Sequence, residues 1–452
     1  MKDKLRVCDL FCGGGGSSTG IAAALGKRLG ELTAVDWDAE VLAMHTANHP
    51  QAKHIESDVW NVPPIPDLDL LWLSPSCTQH SRARGPRPKD AFTRDLAWVG
   101  VRWAQMVRPR VVILENVPEF FKWGPISEDG ISSKAEEGAY FDRFVDELRT
   151  LGYRTDFRVL SACRYGAPTT RKRLYLVARR DDRDIVWPEP SHGPGKLPMR
   201  TAADCIDWSI PCQSIFRRER PLAEKTLQRI ARGVVRFVLN NPRPFIVRWD
   251  GRERDAEGAN NVTAFLAKHY GGVTGGVLND GIGAITVHDH HSLVACCLER
   301  SFGASRGASL TDPMGAITAG GMGKTSLTAV AFSKDDESAG HTLCSSFLSS
   351  YYGAGLGREM TAPAPTITVK DRFGFVGITI DGENFAVTDI SMRMLQSHEL
   401  FAAQGFPKDY IIAPTMNGKP LAKTAQVRAA GNAVCPPVAK ALVAANFPET
   451  SR

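Results

Sequence analysis

The sequence predicts an α/β protein whose first domain is built on a parallel sheet, and three observations support this. Strand and helix signals alternate through about the first 180 residues. A short apolar run, Leu5 to Phe11, leads directly into four glycines, Gly13 to Gly16. Later apolar runs also end in polar or charged residues, as strands do where their carboxyl ends open onto a ligand crevice.

Composition is that of an ordinary globular protein. The chain has 452 residues, of which 43% are apolar and 23% charged, so there is room for two or three domains. We find no apolar run of about eighteen residues and no signal peptide, and therefore expect a cytoplasmic protein with no membrane partner. Ten cysteines without any C-x-x-C pair argue against a disulfide framework and a zinc ribbon, and we expect no metal.

The first strand, glycine turn and helix are typical of the start of a nucleotide-binding unit. Leu5 to Phe11 is predicted to be a buried strand, and the helix after the glycines is predicted to open with Ser17 or Ser18 as its N-cap. Glycine allows a ligand to approach the backbone closely. Taken alone this is a weak signal, because many folds use glycine turns.

A second strand, Leu32 to Trp37, precedes a helix predicted over Ala39 to Asn48. An acid at the end of this strand commonly binds a ribose hydroxyl pair, so Asp36 is a candidate, and Trp37 could stack on an adenine. The alternative is a surface acid beside a core tryptophan. Asp58 is a further candidate for the adenine edge, with an exposed loop acid as its alternative.

The next strand, Leu68 to Leu73, ends in a turn that contains Cys77. A cysteine at the carboxyl end of a parallel strand faces the ligand crevice, and its thiolate is a strong nucleophile. The positive charges that follow would raise the ionised fraction. They are Arg82, Arg84, Arg87 and Lys89. The alternative is inert packing.

After a helix predicted over about residues 94 to 107, the strand Arg110 to Leu114 ends at Glu115. Its carboxyl group is expected beside the end of the cysteine strand. Partial burial would raise its pKa and allow it to donate a proton. The alternative is an acid that caps the next turn.

Taken together, these residues resemble the ordered motifs of the cytosine-5 DNA methyltransferase family. The matching pieces are Asp9 to Gly16, Asp36-Trp37, Asp58, the Cys77 turn, Glu115-Asn116-Val117, Ala167 to Leu174, Gln404 to Pro407 and Gly431 to Val434. Each piece is short, but the complete ordered set is specific. It covers about residues 1–185 and 386–445.

The resemblance implies a Rossmann-like S-adenosylmethionine-dependent methyltransferase domain with a smaller β-rich target-recognition domain. Cys77 would add to carbon 6 of a flipped cytosine in double-stranded DNA, Glu115 would bind N3 and the amino group, and Arg173, with Arg171 less directly, would hold the O2 edge. The cofactor pocket would use Asp9, Phe11, Gly13, Gly15, Asp36, Trp37, Asp58 and Asn432.

We expect a monomeric enzyme of restriction–modification or phage type. An RNA methyltransferase of the same chemistry and an inactive relative that only binds DNA are the alternatives. Three residues depart from the family pattern. Ser76 and Thr78 flank the cysteine where proline and glutamine are usual, and Thr169 replaces a glutamine. The cysteine, the glutamate and both arginines remain, so activity is expected.

The central region has a different character. Between Ile215 and Asp255 there are eleven Lys or Arg and five Asp or Glu, and Pro221 to Phe237 is predicted to be a basic amphipathic helix. Phosphate contact is expected there, with a solvated helix face as the alternative. The predicted divisions are a catalytic and cofactor-binding domain over 1–190, a recognition domain over 191–385 and a returning segment over 386–452.

A weak internal repeat supports a recognition region. Three aromatic-glycine elements each precede an Ile-Thr pair by fifteen residues, which is typical of small β units with interchangeable loops. In the three copies, the aromatic-glycine element and the Ile-Thr pair begin respectively at Tyr270 and Ile285, at Phe302 and Ile317, and at Tyr352 and Ile367.

Overall fold

The computed structural model describes residues 4–75, 96–124, 136–216, 218–234, 246–248, 261–268, 275–278, 280–282, 291–300, 377–380 and 383–448. The chain divides into two compact units. The first contains Met1–Cys205, Gly281–Asp289 and Gln396–Arg452, and the second contains Ile206–Asp280 and His290–Leu395. The three-part division from the sequence stays a prediction.

The first unit is an α/β sandwich. Its strands are β1 Leu5–Leu10, β2 Leu29–Asp36, β3 Lys53–Glu56, β4 Leu70–Leu73, β5 Val111–Asn116, β6 Arg154–Ser161 and β7 Lys172–Arg179. Its helices are α1 Gly16–Leu25, α2 Ala39–Asn48, α3 Trp98–Met106, α4 Ala139–Thr150, and, after the second unit, Ser397–Gln404, Lys423–Asn432 and Pro436–Asn446. The helix predicted over Ala39 to Asn48 is confirmed.

The seven strands lie in the order β3-β2-β1-β4-β5-β7-β6. Neighbours from β3 to β5 are parallel, whereas β7 runs antiparallel to both β5 and β6. The order reverses beside β1, which places a ligand crevice at the carboxyl ends of β1 and β4. The expected Rossmann-like fold is confirmed.

The sheet is covered on both faces, so its central strands are mostly apolar, and β4 is apolar throughout. In β4, Leu71 and Leu73 join the core with Trp103 of α3, whereas the alternate residues Leu70 and Trp72 join the core on the opposite face. This alternation follows from the two-residue period of a strand.

The start of α1 differs from the prediction. The helix begins at Gly16 with Gly15 as its N-cap at φ 92°, and no side chain caps it. The predicted N-cap role of Ser17 or Ser18 is wrong, because both hydroxyls donate instead to the buried carboxylate of Asp9. A tertiary partner thus outcompetes the local capping bond.

The chain returns to the first unit through three helices, α6 Ser397–Gln404, α7 Lys423–Asn432 and α8 Pro436–Asn446. Two glycines of α1 allow a close approach. A Cβ at Gly16 would collide with the carbonyl oxygen of Val434, and one at Gly20 with that of Pro436. The C-terminal segment is therefore packed directly on the glycine-turn helix.

The second unit is β-rich, with one described helix, α5 Glu224–Gly233. Its strands are β8 Gln213–Ser214, β9 Ile246–Arg248, β10 Asn261–Lys268, β11 Gly275–Val277, β12 His291–Arg300, β13 Gly377–Ile380 and β14 Glu383–Met394. The backbone of α5 confirms a helix within the basic segment. The Ile-Thr pairs of the predicted repeat lie outside the described residues.

A two-stranded hairpin, β15 Thr415–Met416 and β16 Lys419–Pro420, completes the first unit. None of the helices in the described part of the chain is both long and apolar enough to cross a membrane.

Candidate active site

The carboxyl ends of four strands are joined at one edge of the sheet by hydrogen bonds between the residues that follow them. The Cys12 amide donates to Val35 O at 3.1 Å, and the Ser57 amide donates to Asp36 O at 3.0 Å. The Ser74 amide donates to Leu10 O at 3.2 Å. The predicted ligand residues that follow β1, β2 and β3 therefore share this edge with the start of the cysteine turn.

Asp36 is held against the glycine turn. Its carboxylate accepts hydrogen bonds from the Gly13 amide at 2.9 Å and from the Asp38 amide at 3.1 Å, and burial raises its pKa. Gly13 has φ 51°, and no atom of the described residues lies within 4 Å of the position that a Cβ would take. Phe11, just before the turn, has φ 61° and is partly buried. The turn thus leaves open space beside its backbone.

Trp37 projects from this edge with 73% of its surface exposed, so the alternative of a core tryptophan is wrong. Asp58 is also exposed, and its carboxylate accepts a hydrogen bond from the Trp60 amide at 2.9 Å. Its contact with an adenine stays a prediction.

Gly15 and Asp9 face the protein side of the turn. A Cβ at Gly15 would collide with the hydroxyl of Tyr410, which donates to Gly14 O at 2.5 Å. The carboxylate of Asp9 is fully buried and accepts the Ser17 and Ser18 hydroxyls at 2.6 Å each. Both residues therefore contact protein groups that support the turn. Direct contact of either residue with a ligand stays a prediction.

Behind Asp9 lies a polar network that sequence reasoning missed. The Ser18 hydroxyl is also 2.9 Å from Nε2 of His45, whose Nδ1 is 2.9 Å from Nε2 of His54. Burial lowers the pKa of His45 well below its usual range, so this histidine is neutral. The available signal was the spacing of His45, in the last turn of α2, and His49, the residue that follows the helix, whose rings lie 4.7 Å apart.

The Asp9 carboxyl makes stability depend on pH. Burial raises its pKa from 3.8 to about 7, although the two serines oppose the shift. Between these values the unfolded chain releases a proton that the folded chain retains, so stability present at low pH is lost as pH rises toward 7. Asp9→Asn cannot titrate. We expect its free energy of unfolding, relative to the wild type, to rise by up to about 4 kcal/mol between pH 4 and 8.

Urea unfolding of both proteins across this range measures the difference. Asp36 and His45 also titrate and lie close to Asp9. Both are present in the two proteins, so their contributions to the difference in unfolding free energy cancel to first order. Asp182→Asn, at an exposed acid, is the control, and its profile should follow the wild type. Parallel curves for Asp9→Asn and the wild type would contradict the expectation.

Asn432 ends α7 and is exposed. One turn earlier in the same helix, a guanidinium nitrogen of Arg428 lies 2.8 Å from a carboxylate oxygen of Asp38 and 2.7 Å from one of Glu40. These acids stand at the start of α2, directly after Trp37. The ion pairs therefore hold the helix of Asn432 against the predicted cofactor edge, a role for Arg428 that the sequence did not reveal.

Glu115 lies at the end of β5 and is buried, with Arg173 Nε 3.1 Å from its Oε1. The antiparallel register pairs Glu115 with Tyr175, and Arg173 is two residues away on the same face of β7. Burial raises the pKa of Glu115, although Arg173 and Arg171 oppose the shift. The expected raised pKa is confirmed, and Glu115 is suited to donate a proton.

Arg171 points to another partner. It is buried, and its Nη1 donates to Gly431 O at 3.0 Å. The structure thus brings Arg173 to Glu115 and ties Arg171 to the residue before Asn432. This separation agrees with the less direct role expected for Arg171.

Asn116 connects the glutamate to the cysteine turn. Its Nδ2 donates to Pro75 O at 3.2 Å, and its Oδ1 accepts from the Val117 amide at 2.9 Å. Pro75 is two residues before Cys77. The cysteine, with Ser76, Thr78 and the basic loop, lies outside the described residues. Asn116 belongs to the matching motif, but its place in the sequence predicts no role for it.

The model of the family described as C-5 cytosine-specific DNA methylase matches residues 5–203 and 317–447. The chain belongs to this family. The matched ranges contain every residue predicted for the two sites. C-5 cytosine methyltransferases of this family take their methyl group from S-adenosylmethionine. Among the described residues, no three His, Cys, Asp or Glu side chains are grouped so that they could hold a metal ion.

Several curated relatives are Type II methyltransferases, and two of them illustrate the match. M.SacI of Streptomyces achromogenes is 28% identical over 217 residues, covering 42% of this chain and 52% of that protein. M.AgeI of Thalassovita gelatinovora is 30% identical over 204 residues, covering 42% of this chain and 43% of that protein. The chain thus spans about half the length of the relatives it matches.

Two solved structures are also similar to the chain. A DNMT2 variant of Spodoptera frugiperda has 13% identity and a TM-score of 0.49, with 98% of this chain and 100% of that chain covered. The Dnmt2 methyltransferase of S. pombe has 15% identity and a TM-score of 0.45, with 97% of both chains covered.

Proposed function

We propose that the chain is a DNA cytosine-5 methyltransferase of the restriction–modification or phage-protection type. It transfers a methyl group from S-adenosylmethionine to carbon 5 of a flipped cytosine through a covalent adduct with Cys77. The observation that carries the proposal is the pair of the buried Glu115 and the partly buried Arg173, 3.1 Å apart, at the strand end where Asn116 holds the start of the Cys77 turn.

Carbon 5 of cytosine is a poor nucleophile because the ring is aromatic and electron-poor. The Cys77 thiolate adds to carbon 6, and the electron pair of the 5,6 double bond shifts through the ring toward N3. Glu115 donates its proton to N3 as that charge builds, while the guanidinium of Arg173 stabilises the O2 edge. The resulting enamine makes carbon 5 nucleophilic.

When bound, S-adenosylmethionine supplies an electrophilic methyl group to carbon 5. Loss of the carbon 5 proton to a base then restores the double bond and expels the thiolate, while the N3 proton returns to Glu115. Burial raises the pKa of Glu115, which favours the protonated form that this step requires, although Arg173 and Arg171 oppose the shift.

The residues at the carboxyl edge fit this methyl donor. The open space beside Gly13 allows a ligand to approach the backbone, and a Cβ there would occupy that space. Asp36 retains carboxylate lone pairs to accept ribose hydroxyls beyond its two backbone bonds. The exposed ring of Trp37 provides a stacking surface for the adenine.

Trp37→Ala tests this pocket. We expect the Kd for S-adenosylmethionine to rise about tenfold, because the ring loses a stacking contact of about 1–2 kcal/mol. Stability should change little, since 73% of the side chain is already exposed. Isothermal titration calorimetry measures the affinity. Leu197→Ala, at a residue 60% exposed, is the matched control and should bind as the wild type does. If Trp37→Ala and Leu197→Ala bind S-adenosylmethionine with equal affinity, Trp37 is not part of the cofactor pocket.

The burial of Glu115 also argues for base flipping. A carboxyl group at a buried strand end cannot reach N3 of a cytosine that is paired inside a duplex, so the base has to leave the stack. The basic segment from Ile215 to Asp255 would balance phosphate charge. Flipping is expected to be least costly at a mismatched cytosine.

The experiment that tests the proposal is incubation of the full chain with labelled S-adenosylmethionine and either duplex DNA or RNA. Nucleoside mass analysis of the product should show 5-methylcytosine in DNA. Label in RNA alone would support the RNA alternative. Label in neither polymer, with S-adenosylmethionine bound, would support the inactive DNA-binding relative.

A further inference from the structure

A short segment from the middle of the chain is built into the catalytic unit beside the two arginines. Gly281–Asp289 is grouped with the first unit, whereas the chain before and after it, Ile206–Asp280 and His290–Leu395, forms the second unit. Ile282 makes a parallel bridge with Thr169. The Ile282 amide donates to Pro168 O at 2.9 Å, and the Thr170 amide donates to Ile282 O at 2.8 Å.

The hydroxyl of Thr169 links this segment to Arg171. It donates to Ile282 O at 2.8 Å and accepts from the Arg171 amide at 3.2 Å. A hydroxyl can do both at once, since it carries one donor and two acceptor sites. Thr169 and Ile282 are 0% and 1% exposed, so water does not compete for these bonds. Thr169 is one of the positions that depart from the family pattern.

The hydrogen bonds of the Thr169 hydroxyl hold in place the residues at the start of β7. The Arg171 carbonyl accepts from the Ala162 amide at 2.9 Å, and its side chain reaches Gly431 O. Arg173 is two residues further along and meets Glu115. Because strand side chains alternate between faces, a change of register here would move Arg173 away from Glu115.

We propose that Thr169 and the Gly281–Ile282 segment form a positioning clamp for Arg171 and Arg173. This inference rests on the proposed function, because it assigns the clamp to the methyl-transfer step. The clamp acts mainly on the rate of the reaction, because the helix of Asn432 is also held at the predicted cofactor edge by the ion pairs of Arg428. In sequence, Gly281 and Ile282 fall within the predicted recognition region of residues 191–385, but they are grouped with the first unit.

Gly281 gives a second way to disturb the clamp. A Cβ at this position would lie 3.3 Å from the Thr169 carbonyl carbon and from the Thr170 amide nitrogen. Both are backbone atoms that cannot rotate away. Gly281→Ala therefore pushes the segment from the arginine turn without altering the hydroxyl.

The experiment compares Thr169→Val, Thr169→Ser and Gly281→Ala in the full chain. Valine keeps the shape of threonine but lacks the hydroxyl, and serine keeps the hydroxyl. We expect Thr169→Val and Gly281→Ala to lower kcat about 10- to 100-fold, which is the effect of a small misplacement of catalytic groups. Thr169→Ser should stay within about threefold of the wild type, and the Kd for S-adenosylmethionine within about twofold.

The pH profile separates positioning from general loss of stability. In Thr169→Val, Arg173 would no longer oppose the raised pKa of Glu115 in the free enzyme, so the alkaline limb of kcat/KM should move to higher pH. A merely structural role would lower the folded fraction and leave the limb in place. An unchanged kcat in Thr169→Val, or a loss that serine does not rescue, would overturn the inference.

Amide hydrogen exchange distinguishes failure of the clamp from failure of the proposed function. If the wild type transfers no methyl group, the proposed function fails. The Thr170, Arg171 and Ile282 amides should still exchange faster in Thr169→Val than in Thr169→Ser. Equal protection in the two variants would overturn the clamp whatever the activity.

Discussion

Replacing Cys77 by alanine is expected to lower methyl transfer by about 10⁴-fold or more, as loss of a catalytic nucleophile does. Without a thiolate, carbon 6 receives no electron pair from the protein, and carbon 5 keeps its aromatic, poorly nucleophilic character. The Kd for S-adenosylmethionine should stay within about twofold, because the predicted cofactor residues on β1, β2 and α7 are unchanged. A single-turnover assay with labelled donor and calorimetry with donor alone measure the two quantities.

The control is Cys163→Ala, at a cysteine in a 3-10 turn of the first unit, and it should be as active as the wild type. A duplex that carries 5-fluorocytosine provides a second readout. Fluorine cannot leave carbon 5 as a proton does, so the Cys77 adduct should persist and be visible as a mass increase of the protein. Methyl transfer that survives in Cys77→Ala would contradict the covalent mechanism.

The strands of the first unit could be predicted because both faces of a parallel sheet are covered. Each central strand is then a short apolar run, and Leu70–Leu73 and Val111–Asn116 follow the predicted runs to within a few residues. The N-cap at Ser17 or Ser18 could not be predicted. Its failure depends on Asp9, whose buried carboxylate comes from the preceding strand and takes both hydroxyls.

The strand ends could also be predicted as the site, because parallel strands bring their carboxyl ends to one edge. Which side chains face the crevice could not. Gly13 and Gly15 look alike in the sequence, yet one borders open space and the other packs on Tyr410. The bond between Thr169 and Ile282 joins residues 113 positions apart, a separation at which no local pattern carries information.

Glu115→Gln is expected to lower kcat by about 10²- to 10⁴-fold, the contribution of a positioned general acid. Glutamine can hydrogen-bond N3 or the amino group but has no acidic proton to give, so negative charge builds on the ring without relief. Binding of S-adenosylmethionine should be unchanged, because Glu115 pairs with Arg173 and not with a residue of the predicted cofactor edge. Glu119→Gln, four residues further along, is the control and should retain activity.

The pH dependence of kcat/KM tests whether Glu115 acts in its protonated form. Burial raises the pKa of this acid in the free enzyme, so its proton is held to higher pH than that of a free glutamate, and kcat/KM should fall as pH rises through the pKa. Arg173 works against burial, because its charge favours the carboxylate. Arg173→Ala should therefore lower kcat and yet move the alkaline limb to higher pH. A limb that moves to lower pH, or one that persists in Glu115→Gln, would show that another group supplies the proton.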